Sequence, residues 1–108
     1  MTTFDEREQN FEKEFKHDQE LRFKTNARRN KLFGLWAAGH MGLQGSEAEA
    51  YAMAVVHADL GRGGGAGARE KVLKDLTGKG VAVGEAEIQR EHERLLVIAK
   101  EQVLKARA

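Results

Sequence analysis

Residues 20–39 read ELRFKTNARRNKLFGLWAAG, and this stretch decides the fold. At about 100° per residue, Leu21, Thr25, Arg28, Leu32, Leu35, Trp36 and Gly39 fall on one side of a helix. Phe33 widens that side in the last turns. The spacing predicts a helix from about Glu20 to Ala38, with LFGLWAA (residues 32–38) as the most deeply buried part of the protein. The chain contains no Pro, so nothing interrupts long helices.

Downstream, Gly39, Gly42 and Gly45 mark a connector. Ser46 followed by Glu49 has the spacing of a capping box, and a helix is expected from there to about Leu60. Its inner face is Ala48, Tyr51, Ala52, Val55 and Val56, whose small residues let a neighbouring helix approach closely. Residues 61–68, GRGGGAGA, read as a flexible loop. A shorter helix is expected over about 68–76, with Val72, Leu73 and Leu76 inward and Thr77-Gly78-Lys79-Gly80 stopping it. The last helix runs from about Glu85 to Lys105. Ile88, His92, Leu95, Ala99, Val103 and Ala106 line one face of it, flanked by Leu96 and Ile98. No alternating run exceeds Val81-Ala82-Val83, so strands are not expected. Four helices after residue 19 make a small four-helix bundle, all-α, over residues 20–108.

Upstream, Thr3 and Glu6 form another capping box, and Phe4, Phe11 and Phe15 share a narrow arc of an otherwise charged helix. Such a stripe serves either as the core face of a fifth helix or as a binding segment. Two facts favour binding: the stripe is terminal, and its face breaks off near residues 18–21. A helix of about 15 residues with three aromatic anchors is marginal alone, so residues 1–19 are expected to be partly disordered when free and to fold on a partner.

The 108 residues suit one domain, and 41% apolar with 32% charged residues suits a helical protein with wide solvated faces. Without Cys there is no disulfide, thiolate metal site or thiol nucleophile. No apolar run approaches a transmembrane length, and MTTFDEREQNFEKEF lacks the layout of a secretory signal, so a cytoplasmic protein or a peripheral partner of something larger is expected. The net charge of +1 conceals alternating blocks. Residues 1–20 carry seven acids and three bases, whereas residues 21–40 carry five bases and no acid. With so little net basic charge, nucleic acid is not an expected partner.

Residues able to do chemistry are few. Ser46 is the single Ser and reads as a cap. No two of His17, His40, His57 and His92 have metal-binding i, i+4 spacing, so no metal site is expected. His92 on an apolar face reads as a packed core histidine; His17, at the charge boundary, is either inert or a pH sensor. Gly63, Gly65 and Ala68 match a loose dinucleotide fingerprint but have no strand before them, and Gly78-Lys79 is no P-loop. Arg22, Lys24, Arg28, Arg29 and Lys31 form a dense basic cluster. The cluster is either a solvated face paired with nearby acids or a contact for an acidic protein or nucleotide phosphate. An enzyme is not expected.

The string Phe4-Asp5-Glu6-Arg7-Glu8, Phe11-Glu12, Phe15, His17-Asp18, Glu20-Leu21 and Phe23 resembles the start of the zeta subunit family, inhibitors of the alphaproteobacterial F-type ATP synthase. ARRNKLFGLWAA (27–38), SEAEAYAMAVVHADL (46–60) and GVAVGEAEI extend the resemblance over essentially the whole chain. It implies a four-helix bundle with a mobile N-terminal segment that inserts into the catalytic head of the synthase, formed by the alpha, beta and gamma subunits. That insertion blocks rotation in the hydrolysing direction and holds the protein at the inner membrane only through the synthase. On this resemblance Phe4, Phe11 and Phe15 are the anchors, and Arg7, Glu8, Glu12 and Lys13 the surrounding polar contacts. The alternative it leaves open is a purine-nucleotide-sensing module without catalysis, binding ADP or ATP weakly, with Arg28, Arg29 and Lys31 as phosphate contacts. One departure is the connector Gly61–Arg69, glycine-rich and basic where the family often has an acidic one.

Overall fold

Asp18 is the N-cap of the first helix, α1 (Gln19–His40). Its carboxylate accepts a hydrogen bond from the Leu21 amide at 3.1 Å. The structure is a computed structural model and describes residues 18–107. Three more helices follow: α2 (Gly45–Asp59), α3 (Ala66–Gly78) and α4 (Glu85–Arg107). The described residues contain no strand, and the all-α bundle is as the sequence predicts. The capping box at Thr3 and the aromatic stripe lie outside the described residues.

Two helix ends share one device. After α1, Leu43 N–H donates to Ala38 C=O at 2.9 Å and Gly42 N–H to Gly39 C=O at 3.2 Å, with Gly42 at φ +77°. After α3, Val81 N–H reaches Leu76 C=O at 2.9 Å and Gly80 N–H reaches Thr77 C=O at 3.0 Å. Both are Schellman turns, which use a left-handed glycine to satisfy the last carbonyls.

α1 is the central helix and packs along both α2 and α4, while α3 bridges α2 and α4. The main core is Phe33, Ala37, Val55, Ala68, Val72, Leu76, Ile88 and Leu95. A smaller cluster joins Leu21 to Val103, with Leu104 packed against it. Tyr51 ties α2 to α3: its hydroxyl donates to Asp75 Oδ2 at 2.8 Å, and Lys71 lies 5.3 Å from its ring centroid.

Three expectations are corrected. The buried line of α1 is Leu21, Thr25, Arg29, Phe33 and Ala37, with Asn30, Gly34 and Ala38 beside it. Arg28 and Gly39 are exposed, and Leu32, Leu35 and Trp36 are only half-buried. The reason is that α1 has neighbours on several sides. Its buried surface turns around the helix, from α4 near Leu21 to α2 near Gly34. Ser46 does not cap α2: the helix starts one residue earlier, its N-cap Gln44 makes no side-chain bond, and Glu49 reaches Lys31 at 3.6 Å instead. On α4, Ile88, His92, Leu95, Ala99 and Val103 are buried as expected, but Ala106 is exposed near the end of the helix.

Candidate functional site

Residues 61–68 are not simply a flexible loop. The helix α3 begins at Ala66, and the turn before it is clasped by Asp59. Asp59 Oδ2 accepts from the Gly65 amide at 3.1 Å and from Asn30 Nδ2 at 3.0 Å. Asp59 Oδ1 accepts from the Gly67 amide at 3.1 Å. These amides belong to the start of α3, whose first N–H groups lack helical partners, so an acid from α2 caps α3 across the interface.

The same network continues into the core. The Asn30 amide gives its nitrogen to Asp59, so its oxygen faces His92 Nε2 at 2.9 Å. The His92 proton therefore sits on Nε2, and Nδ1 accepts from Arg69 Nη1 at 3.3 Å. His92 is 1% exposed, and burial, aided by the Arg29 and Arg69 charges, lowers its pKa to about 3. It is neutral at ordinary pH and is the packed core histidine its position on α4 suggests. Its ring meets Phe33 edge-on, with centroids 4.7 Å apart.

The glycines here are required by space. A Cβ on Gly65, which sits at φ +88°, would stand 2.0 Å from His92 Cε1. A Cβ on Gly67 would stand 2.2 Å from the Ala58 carbonyl oxygen. The pattern of residues 63–68 thus answers to the packing of α3 on α2 and α4.

The candidate phosphate contacts are divided by the helix. Arg28 and Lys31 lie toward solvent: Arg28 Nη1 donates to Gln102 Oε1 at 3.2 Å, and Lys31 pairs with Glu49. Arg29 is turned inward, 7% exposed, with Nη2 3.4 Å from Asn26 Oδ1. Phe4, Arg7, Glu8, Phe11, Glu12, Lys13 and Phe15, and His17, lie outside the described residues. Among the described residues no group of three or more His, Asp or Glu side chains is placed to hold a metal ion.

Sequence reasoning missed Asn30, Asp59 and Arg69. One signal was available: Asp59 lies in the last turn of α2, where the helix dipole disfavours an acid, directly before the glycine run.

The sequence model of the family ATPase inhibitor subunit zeta matches residues 1–102. The chain belongs to this family. The match to this zeta-family chain takes in residues 1–17 as well as the four helices up to residue 102. A solution NMR structure is similar to it, with a TM-score of 0.70 and 45% identity, over 80% of this chain and 98% of that one. Comparison with curated proteins gives no match. Membership of an inhibitor family makes this a regulatory chain associated with an ATP synthase. Among the described residues no helix is long and apolar enough to cross a membrane.

Proposed function

We propose that this chain inhibits ATP hydrolysis by the F-type ATP synthase through its N-terminal segment, residues 1–19, while residues 20–108 form the bundle that carries it. The observation that supports this reading is the family match, which starts at residue 1 and so includes the segment. Phe4, Phe11 and Phe15 are the apolar anchors that enter the catalytic head between its alpha, beta and gamma subunits. Arg7, Glu8, Glu12 and Lys13 make the polar contacts around them. A wedge that orders on binding is tight only in the rotor conformer it fits, which makes it a brake on one direction of rotation. No group on the chain needs to react. The protein is then held near the inner membrane by the synthase alone.

The test adds the full chain, or a chain lacking residues 1–18, to the purified ATPase head of the same organism. The described core begins at Leu21, so the shortened chain keeps every residue that is buried among the described ones. Hydrolysis is expected to fall with the full chain only. Equal inhibition by the shortened chain overturns the role of the segment, and no inhibition by either overturns the function.

A further inference from the structure

Where α1 and α2 meet, large apolar side chains stand in water. Phe23 is 61% exposed, Met53 46% and Leu60 53%. They are not scattered. Phe23, Ala27, Met53 and Val56, with Val103 beyond them, line one trough of about 420 Å³ over α1. Leu60 continues the same surface past Val56 and Phe23. Lys24, Arg28 and Lys31 stand along the trough. Contiguous apolar surface with a polar rim marks a binding site more often than a bare surface.

The cations on that rim are weakly committed. Lys24 pairs with Glu20 at 3.2 Å and Lys31 with Glu49 at 3.6 Å, all four side chains being well exposed. Arg28 donates to Gln102, a neutral amide. Exposed pairs of this kind are worth little, so an incoming carboxylate can replace either partner. The surface therefore fits a segment that is apolar on one side and acidic on the other.

Such a segment is tethered at the mouth of the trough. Residues 1–17, MTTFDEREQNFEKEFKH, hold three Phe and five acids against three bases, and lead directly into Asp18. Phe23 follows only five residues later. The stretch from Phe23 to Lys31 is about 12 Å of helix, and seventeen residues span about 25 Å even when fully helical, so the segment reaches its whole length. The tether also gives the segment a local concentration on the order of millimolar, enough to populate a weak contact.

We propose that this trough is the resting seat of the chain's own residues 1–17, with Phe11 and Phe15 against Phe23, Met53 and Val56, and Glu12 and Glu14 toward Lys24, Arg28 and Lys31. The seat stands on its own, whether or not the chain inhibits hydrolysis. In an inhibitor, the seated fraction subtracts from the fraction free to enter the head and weakens apparent affinity in proportion.

The absence of Cys makes the full chain directly testable. Gln9→Cys places one nitroxide label on the side of the segment away from the three Phe, at helical spacing. Amide signals of Ala27, Met53 and Val56 are expected to lose more than half their intensity relative to the reduced label, while those of Lys74 and Thr77 on α3 keep theirs. Met53→Glu in the labelled chain, at an exposed position that leaves the core intact, restores the lost intensity. Uniform loss, no loss, or loss that survives Met53→Glu overturns the seat. Loss that grows with protein concentration places a second copy's segment in the trough and overturns it equally. None of these readings depends on ATPase activity, so failure here is separable from failure of the inhibitor function.

Discussion

Gly34 and Ala52 bring α1 and α2 nearly into backbone contact: a Cβ built on Gly34 would stand 2.7 Å from the Ala52 Cα and 3.2 Å from Val55 Cβ. Both residues lie in helix interiors, so the glycine serves close packing at some cost in helix propensity. Gly34→Ala is expected to push the helices apart and destabilise the bundle by about 1–3 kcal/mol. Thermal unfolding followed by circular dichroism checks it. An unchanged Tm would mean that the crossing relaxes without cost.

Asp59 caps a helix to which it does not belong. Asp59→Ala leaves the Gly65 and Gly67 amides and the Asn30 amide without their acceptor, and is expected to cost about 3 kcal/mol. Asp59→Asn keeps one oxygen and costs less. Hydrogen exchange should quicken first at Gly65 and Gly67, ahead of α4. Exchange that rises evenly over the chain would show that the clasp has no local role.

His92 makes stability depend on pH in a defined window. Its pKa is about 3 in the folded protein and about 6.5 unfolded, so between those values the unfolded chain takes up a proton that the folded chain refuses. The stabilising share is complete above about pH 6.5 and is lost as pH falls toward 3, with a slope of up to ~1.4 kcal/mol per pH unit. Urea unfolding at several pH values measures the slope. His92→Gln should lower stability at neutral pH and flatten the acid limb; an unaltered limb would assign it to carboxylates alone.

Tyr51→Phe removes the hydroxyl that α2 donates to Asp75 on α3 and leaves the ring in place under Lys71. A loss of about 1 kcal/mol is expected, against a smaller one for Lys71→Ala at its half-buried pair with Asp75. Chemical denaturation of the two variants side by side tells the contributions apart.

Phe11→Ala and Phe15→Ala should each weaken inhibition about tenfold or more, since aromatic anchors carry most of the energy in small interfaces. Both positions precede Asp18, so the unfolding midpoint of the bundle should change little. ATP hydrolysis titrated with each variant gives the inhibition constants.

What the sequence determined by itself was the element inventory and the family. Helical spacing with no Pro and no long alternating run left only helices, and Gly42 and Gly80 marked two of their ends through local backbone geometry alone. The apolar row Ile88, His92, Leu95, Ala99 and Val103 was legible because α4 buries a single face. The quoted N-terminal and central motifs carried the family resemblance. What only the tertiary structure decided was the orientation of α1 and the meaning of the glycine run. A central helix is wetted on no fixed side, so the apolar residues that suggest a face, Leu32, Leu35 and Trp36, end at its margin, and Asn30, Gly34 and Ala38 take the centre. Asp59, Asn30, Arg69 and His92 are far apart in the chain. Their hydrogen bonds exist because four helices and a turn meet there, and that meeting turns Gly65 and Gly67 from an apparent linker into a fitted joint.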